Sequence, residues 1–488
     1  MPRDNTESIR RVFWVVAAAA AVLGTAAAIA YARLDLTLSH YDARAHLVVA
    51  RRVLDSLTPG WRQLGALWLP LPHLLNLLPV QLDWAYRSGA TGVAISVLSL
   101  AGGLGALARC LHRRGAGFWM AIIAPLGILA NPNVLYLQST PMAEPLLIGI
   151  ALFALDAVDQ WVQTGHPRER RRAGWWLAAL VLVRYEGWVI AAGLLAGAAV
   201  TPGARQLRSV FVAALSPAVA VFAFLCLSRA STGAWFVASG FFVPENPAAN
   251  QPAVALDQIV TGLTDLAGRA VPIAGAIGGV MCLFRAARRL PGALPLALVL
   301  PAILPFSAFM AGHPYRIRYM VPLVAASWAL AGVAFSRLPR RWQAAAALGV
   351  AAVALLDAPP LGSRIPMLIE AQGEKPQQQA RETVTRFLGA EYDGTPILAS
   401  MGSLGHYMQE TSKIGLSLRQ FVHEGNGDLW MAALERPRSH VKWILIEELA
   451  EGGDLLAARA RRDPAFLDGF TRVAEGGGVA LYRRRGPL

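Results

Sequence analysis

The chain has 488 residues, of which 55% are apolar and 16% are charged, and its formal net charge is +14. The mean hydropathy of +0.43 is typical of a protein that crosses a membrane several times and excludes an ordinary soluble protein. A nucleic-acid-binding protein is also excluded, because the arginines stand in short clusters between apolar runs without interleaved aromatic residues. The three cysteines have neither a disulfide framework nor metal-ligand spacing.

The apolar runs predict a polytopic α-helical membrane protein of about eleven spans, with the arginine clusters in cytoplasmic loops as the positive-inside rule requires. We interpret the first run as a retained signal anchor, because it exceeds the roughly 7–15 apolar residues of a signal-peptide core. A loop over 228–269 is predicted outside. The predicted spans are 12–32, 90–111, 118–130, 142–157, a hairpin over 175–200 that counts as two, 210–227, 271–284, 294–310, 320–335 and 344–356.

The hairpin is predicted from its length, since 175–200 is too short for two crossings, which need about 40 residues. We expect two short helices that enter and leave on the cytoplasmic side, with Arg184, Tyr185 and Glu186 at the tip. Charge at membrane depth persists only against protein or a water-filled cavity. The tip therefore indicates a binding site, and an Arg–Glu pair that merely ties two helices together is the alternative.

The first external segment, 39–75, contains the acid at which we expect chemistry. Asp42 and His46 are four residues apart and share one face of a predicted helix. Apolar residues such as Leu47 and Val48 form a stripe, which favours a helix lying flat on a membrane surface. Ser39 and Asp42 also fit a capping box, which requires no catalysis.

A second acid, Glu144, begins the fourth predicted span on the same outer face as Asp42. An acid near a helix N-terminus is favoured by the helix dipole alone, which is the alternative to a catalytic role. Two acids on one face, with arginines nearby, indicate acid–base chemistry more strongly than either acid alone. A carboxylate can take a proton from an acceptor, and arginines can stabilise a departing phosphate.

The segment 313–319 carries two arginines on the predicted outer side, against the distribution that the other clusters follow. Arginine with neighbouring Tyr and His suits phosphate, because the guanidinium donates hydrogen bonds in pairs. Anchoring of the next span to lipid headgroups is the alternative. The candidate binding residues of this segment are His313, Tyr315, Arg316, Arg318 and Tyr319.

The run from Trp68 to His73 precedes the second span and contains two prolines separated by one residue. This spacing disfavours helix and predicts an extended turn. His73 at its end is either a phosphate ligand or an interface residue.

From Asp357 onward the composition becomes polar, so we expect a membrane part, 1–357, and a soluble extracytoplasmic α/β domain, 358–488. Within the second part the patterns predict a helix over 377–388, buried strands over 396–400 and 443–447, and a hairpin over 473–483.

Together these motifs resemble the GT-C superfamily of glycosyltransferases, near the protein O-mannosyltransferases and lipid A aminoarabinose transferases. The resemblance covers roughly residues 10–360. The features that match are Asp42 in the first external loop, Pro70 and Pro72 before the second span, Glu144 in a Thr-Pro-x-x-Glu-Pro sequence, Arg184 and Glu186 in the hairpin, and Arg318-Tyr319 before a late span.

The resemblance implies inverting transfer of a sugar from a polyprenyl-phosphate donor to an unidentified acceptor outside the bacterial cytoplasmic membrane. Asp42 would be the general base or an acid that positions the acceptor, and Glu144 a second catalytic acid. The expected partners are the lipid-linked donor and membrane lipids, with no nucleic acid. A divalent cation is left open, since Asp42, His46 and Glu144 do not by themselves define a site.

One departure from the family concerns the lipid phosphate. Some relatives hold it with a lysine before the proline turn, whereas Trp68-Leu69 stands there in this chain. The resemblance then assigns the phosphate to His73, Arg316 or Arg318. Two other classes remain as alternatives, namely a lipid-linked-sugar transporter or binding protein without catalysis, and an inactive scaffold that presents the outer domain.

Overall fold

The computed structural model describes residues 3–200, 207–237, 246–288, 292–357, 359 and 365–486, and it consists of a helical bundle followed by a small α/β domain. The helices of the bundle are α1 (Arg3–Arg33), α2 (Tyr41–Arg51), α3 (Leu71–Asn76), α4 (Asp83–Ser88), α5 (Ala90–Arg113), α6 (Phe118–Ala130), α7 (Pro132–Leu137), α8 (Glu144–Thr164), α9 (Pro167–Leu180), α10 (Glu186–Val200), α11 (Leu207–Thr232), α12 (Pro252–Ala267), α13 (Ala270–Ala287), α14 (Ile303–Met310), α15 (Val321–Phe335), α16 (Arg340–Asp357) and α17 (Pro366–Gly373).

Six helical segments among the described residues are long and apolar enough to cross a membrane, and three more are apolar but shorter. The six are Glu7–Arg33, Ala90–Arg113, Glu144–Thr164, Leu207–Thr232, Ala270–Ala287 and Ile317–Phe335; the shorter ones are Phe118–Ala130, Glu186–Val200 and Leu294–Met310. Each contains or overlaps a predicted span, so the polytopic α-helical fold is confirmed. The count of about eleven stays a prediction.

The predicted hairpin is present as α9 and α10, with the turn at Arg184 and Tyr185 between them. A Cβ atom at Gly187 would lie 2.2 Å from the Leu180 carbonyl oxygen, so the close approach of the two arms requires glycine. Within the predicted loop 228–269, α12 forms a helix, and its buried Ala255, Ile259 and Leu266 give it one apolar face. Residues 238–245 of that loop lie outside the described part.

The C-terminal domain is built on a five-stranded sheet of order β2-β1-β3-β5-β4. β1 pairs in parallel with β2 and β3, whereas β5 is antiparallel to β3 and β4. The predicted helix, strands and hairpin of this domain are confirmed. Its elements are α18 (Lys375–Glu391), β1 (Ile397–Ala399), α19 (Met401–Glu410), β2 (Phe421–Val422), α20 (Asp428–Glu435), β3 (Trp443–Glu447), α21 (Leu455–Arg462), β4 (Phe470–Gly476) and β5 (Val479–Arg484).

The helix α2 packs on this domain instead of lying on a lipid surface. Leu47 and Val48 are fully buried in the same core as Leu404 and Tyr407 of α19. The prediction of a surface helix was wrong, because an apolar stripe of this period fits lipid and protein equally well. The exposed apolar side chains follow later, in α3, α4 and the residues between them: Leu74, Leu75, Leu78, Leu82 and Trp84.

The two parts of the chain share elements. Met367 and Ala371 of α17 pack in the core of the helical bundle, although the sequence assigns them to the soluble domain. The backbone N–H of Met367 donates to Asn133 Oδ1 at 3.1 Å. The boundary at 357/358 borders residues outside the described part and stays a prediction.

Candidate functional site

The predicted acids lie at one end of the bundle, where α1 ends and α5, α8 and α15 begin. The opposite end carries arginines. There Ser8 Oγ and His112 Nε2 are 2.9 Å apart, and Arg114 pairs with Asp159 of α8. Asp42 and Glu144 therefore share the end that is remote from the arginine cluster.

Asp42 forms a buried ion pair with Arg318, which lies in a 3-10 turn just before α15. The Asp42 and Arg318 side chains are 12% and 9% exposed. His40 is the N-cap of α2, and its Nδ1 accepts from the Asp42 backbone N–H at 3.1 Å. Ser39 instead donates to the Asp35 carbonyl. The capping-box alternative was therefore wrong, and the Asp42 carboxylate faces a guanidinium.

Burial raises the pKa of the Asp42 carboxyl, but Arg318, His40 and His46 together bring it down to about 2. Asp42 is therefore ionised at neutral pH. The positive charge of Arg318 offsets the negative charge of Asp42 in this arrangement. Any group that binds Arg318 in place of Asp42 therefore makes Asp42 more basic.

His40 connects this pair to Glu370 of α17, which sequence reasoning missed. Because His40 Nδ1 accepts a hydrogen bond, its ring proton stands on Nε2, which is 3.2 Å from Glu370 Oε1. Burial raises the pKa of Glu370, and the hydrogen bond from His40 and nearby arginines lower it below the usual value. No sequence signal could join these residues, since 330 positions separate them.

The hairpin tip contacts Glu144. Arg184 Nη1 lies 3.0 Å from Glu144 Oε1, and Arg184 Nη2 lies 2.8 Å from Glu186 Oε1. The Glu144 side chain is 1% exposed, and its Oε2 has no hydrogen-bond partner among the described residues. Tyr185 turns away and donates to the Ala66 carbonyl at 3.3 Å.

Two histidines and a tryptophan stack on one another close to Asp42, because His46 lies one helical turn after Asp42 in α2. His46 Nδ1 is 3.0 Å from His73 Nε2, and the Trp68 ring stacks on His46 with a centroid distance of 4.2 Å. Burial lowers the pKa of His46 to about 4 and that of His73 well below its usual value. Both rings are therefore neutral at pH 7. The predicted extended turn before His73 was wrong, because Pro72 fits the first turn of α3, where no N–H is needed.

The cluster is electrostatically continuous. After burial, the pKa of His46 is raised by Asp42 and Glu144 and lowered by Arg184 and Arg318. The structure thus brings together seven predicted residues: Asp42, His46, His73, Glu144, Arg184, Glu186 and Arg318.

The other predicted residues of 313–319 divide into two groups. Tyr319 stays with the cluster, since the Arg318 guanidinium is 5.6 Å from its ring centroid, and the His313 ring packs on Tyr319 at 5.6 Å. Arg316 pairs with Glu451 of the C-terminal domain. Tyr315 lines a separate cavity of about 490 Å³ together with Asp257, Gln258 and Asp265.

A metal site is not formed by the described residues, among which no three His, Cys, Asp or Glu side chains converge as ligands. Asp42, His46 and Glu144 instead take arginine and histidine partners.

No protein-family model and no curated protein matches the chain. Among solved structures, the chain is similar to ArnT from Cupriavidus metallidurans bound to undecaprenyl phosphate, with a TM-score of 0.61 and 15% identity over 96% of this chain and 99% of that one. The same ArnT in the apo state gives a TM-score of 0.59 at the same identity and coverage. A likeness at this identity establishes the fold. The chain therefore has an ArnT-like fold, with a membrane-spanning helical part and a small C-terminal sheet domain.

Proposed function

We propose that the chain is a membrane glycosyltransferase that moves a sugar from a polyprenyl-phosphate donor to an acceptor on the outer face of the bacterial cytoplasmic membrane, with inversion. The observation that carries the proposal is the buried contact between Asp42 and Arg318 in a fold shared with a protein that was crystallised with undecaprenyl phosphate. Asp42 is the general base, and the C-terminal domain lies outside.

The chemistry needs one base and one cationic site for the leaving group. The acceptor oxygen forms a bond to the anomeric carbon on the face opposite the phosphate, while the bond from that carbon to the phosphate oxygen breaks. Asp42 takes the acceptor proton, and polyprenyl phosphate departs with an additional negative charge that Arg318 stabilises. Arg318 thereby turns from Asp42 towards phosphate, which raises the pKa of Asp42 when the base is needed.

Glu144 and the hairpin tip support the reaction as a second group of ion-paired side chains. Arg184 sits between Glu144 and Glu186, so its charge is held in place by two carboxylates. We assign Glu144 to orienting Arg184 towards the donor, with the free Glu144 Oε2 available to a sugar hydroxyl. We also assign His46, His73 and Tyr319 to donor binding.

The test is donor turnover by the purified full-length protein in proteoliposomes. Undecaprenyl phosphate linked to aminoarabinose, mannose or glucose is supplied in turn with total bacterial envelope lipid as acceptor, and released undecaprenyl phosphate is measured by mass spectrometry. We expect Asp42→Asn to lower turnover at least 100-fold, whereas the exposed control Asp468→Asn does not change it. Equal turnover by Asp42→Asn overturns the role of Asp42. Donor binding without turnover in the unmodified protein favours the binding-protein alternative.

A further inference from the structure

Arg52 lies directly after α2, and its guanidinium has no acidic partner. Its Nε donates to the Gln63 carbonyl oxygen, and no carboxylate lies within 4.0 Å of it among the described residues. Glu424 is the acid that acts on it electrostatically. That carboxylate is already engaged, since it accepts from the Met401 backbone N–H at 2.6 Å and from the Ser400 hydroxyl at 2.5 Å.

This makes Arg52 different from the arginines around it. Arg62 is exposed, whereas the buried and partly buried arginines near Arg52 each lie within salt-bridge distance of a carboxylate: Arg44, Arg51, Arg184, Arg316 and Arg318. A partly buried guanidinium without a counter-ion is costly, and burial lowers the pKa of Arg52 to about 10. An anion at this position would offset that cost.

The chain after α2 closes around Arg52. Gly65 has a φ of +69°, and a Cβ atom there would lie 3.1 Å from Arg52 Nη2. Glycine therefore lets the loop 60–65 follow the guanidinium closely. On the outside of this loop Trp61 is 61% exposed and Leu67 is 48% exposed, so apolar surface stands beside the charge.

A second unpaired donor comes from the C-terminal domain. His423 is fully buried, and its Nδ1 accepts from the Gly425 backbone N–H at 3.1 Å. The ring proton therefore stands on Nε2, which has no hydrogen-bond partner among the described residues. Gln63 connects this ring to Arg52, because its carbonyl accepts from Arg52 Nε and its side-chain amide donates to the Gly425 carbonyl oxygen at 2.8 Å. A buried N–H without an acceptor requires a ligand or water.

The site lies next to the cluster described above along the chain, because Arg52 directly follows α2, the helix that carries Asp42 and His46. We infer that Arg52 and His423 form a phosphate-binding site that joins the first external segment to the C-terminal domain. Guanidinium and imidazole N–H groups suit phosphate oxygens, and the exposed Trp61 and Leu67 suit the chain of a phospholipid carrier. The identity of the lipid rests on the proposed function; the anion site does not.

The test measures the affinity of the full-length protein in detergent micelles for undecaprenyl phosphate and for inorganic phosphate, by native mass spectrometry and isothermal calorimetry. We expect Arg52→Gln and His423→Phe each to lower the affinity for undecaprenyl phosphate at least 10-fold. The exposed loop control Arg62→Gln should leave that affinity unchanged. Arg52→Lys keeps the charge and should recover a few-fold of the loss, and unchanged thermal unfolding shows that the variants are folded.

The outcomes separate the two ideas. Unaltered affinity for both probes in Arg52→Gln and His423→Phe, with sugar transfer intact, overturns the site and leaves the glycosyltransferase. If the variants lose affinity for inorganic phosphate but not for undecaprenyl phosphate, the site binds a phosphate group of the acceptor instead of the lipid carrier. If the unmodified protein binds neither probe, the proposed phosphate site is overturned. If the unmodified protein does not transfer sugar, the proposed function is overturned separately.

Discussion

Arg44 of α2 and Glu410 of α19 form a buried ion pair between the two parts of the chain. Arg381 also binds Glu410, at 2.6 Å, and Arg44 Nη2 donates to Gln378 at 2.7 Å. Because Asp42 lies two residues before Arg44, the C-terminal domain holds the helix that carries the proposed base. The domain is thus part of the framework of the site.

Replacing Glu410 with Ala should therefore disturb both stability and Asp42. Two buried arginines lose their counter-ion, and breaking a buried pair costs about 3–5 kcal/mol. We expect a lower midpoint of thermal unfolding and at least a 10-fold loss of kcat for sugar transfer. The exposed Glu435→Ala is the control, and Glu410→Asp should recover part of kcat. A variant that loses stability with kcat unchanged would show that α2 is held by packing alone.

The sequence predicts residues that a local pattern marks, but it does not predict the residues that contact them from distant parts of the chain. Asp42, Arg318 and the Arg184 tip were identifiable from their place beside apolar runs, and the buried strands of the C-terminal domain from their short apolar runs. Glu370, Glu410 and His423 had no such signal, since they meet α2 and its neighbours across more than 300 residues of chain. The amphipathic pattern of α2 was visible, but the surface that covers it depends on the tertiary fold.

Arg318→Gln should move the acidic limb of the pH–rate profile. Asp42 has a pKa of about 2 with Arg318 present, so between pH 5 and 8 its ionisation does not change. Without Arg318 the effect of burial is no longer offset, and the pKa of Asp42 rises above its usual value. We expect kcat/KM to fall on acidification at a pH at least one unit higher than in the unmodified protein.

The control for this profile is Arg316→Gln, because Arg316 pairs with Glu451. Its acidic limb should coincide with that of the unmodified protein. If the Arg318→Gln profile keeps its original limb and loses only amplitude, Asp42 is not the titrating base.

Arg184→Ala tests whether the hairpin tip is more than a structural tie. Removal of Arg184 leaves Glu144 and Glu186 buried beside each other without a cation, at a cost of about 3–5 kcal/mol. The triple variant with Glu144→Gln and Glu186→Gln removes the uncompensated charges and should recover stability. Sugar transfer should stay at least 100-fold reduced in the triple variant. If both sugar transfer and stability recover in the triple variant, the hairpin tip only holds helices together and has no role in the reaction.

Glu447 gives the C-terminal domain a pH-dependent stability. It ends β3, and its Oε2 is buried without a hydrogen-bond partner among the described residues. Burial raises the pKa of Glu447 to about 7. The folded state therefore binds a proton more tightly than the unfolded state, so stability is full below the unfolded pKa of about 4.3 and falls as pH rises to about 7.

Glu447→Gln should remove this dependence, because the amide stays neutral. At pH 8 we expect a stabilisation of up to about 3 kcal/mol, and at pH 5 a much smaller difference. The neighbouring Glu448→Gln is the matched control, since Glu448 is exposed and pairs with Arg472 at 2.9 Å. Thermal unfolding of the full-length protein between pH 5 and 8 measures both. Parallel pH profiles of Glu447→Gln and the unmodified protein would mean that Glu447 ionises in the folded domain without cost.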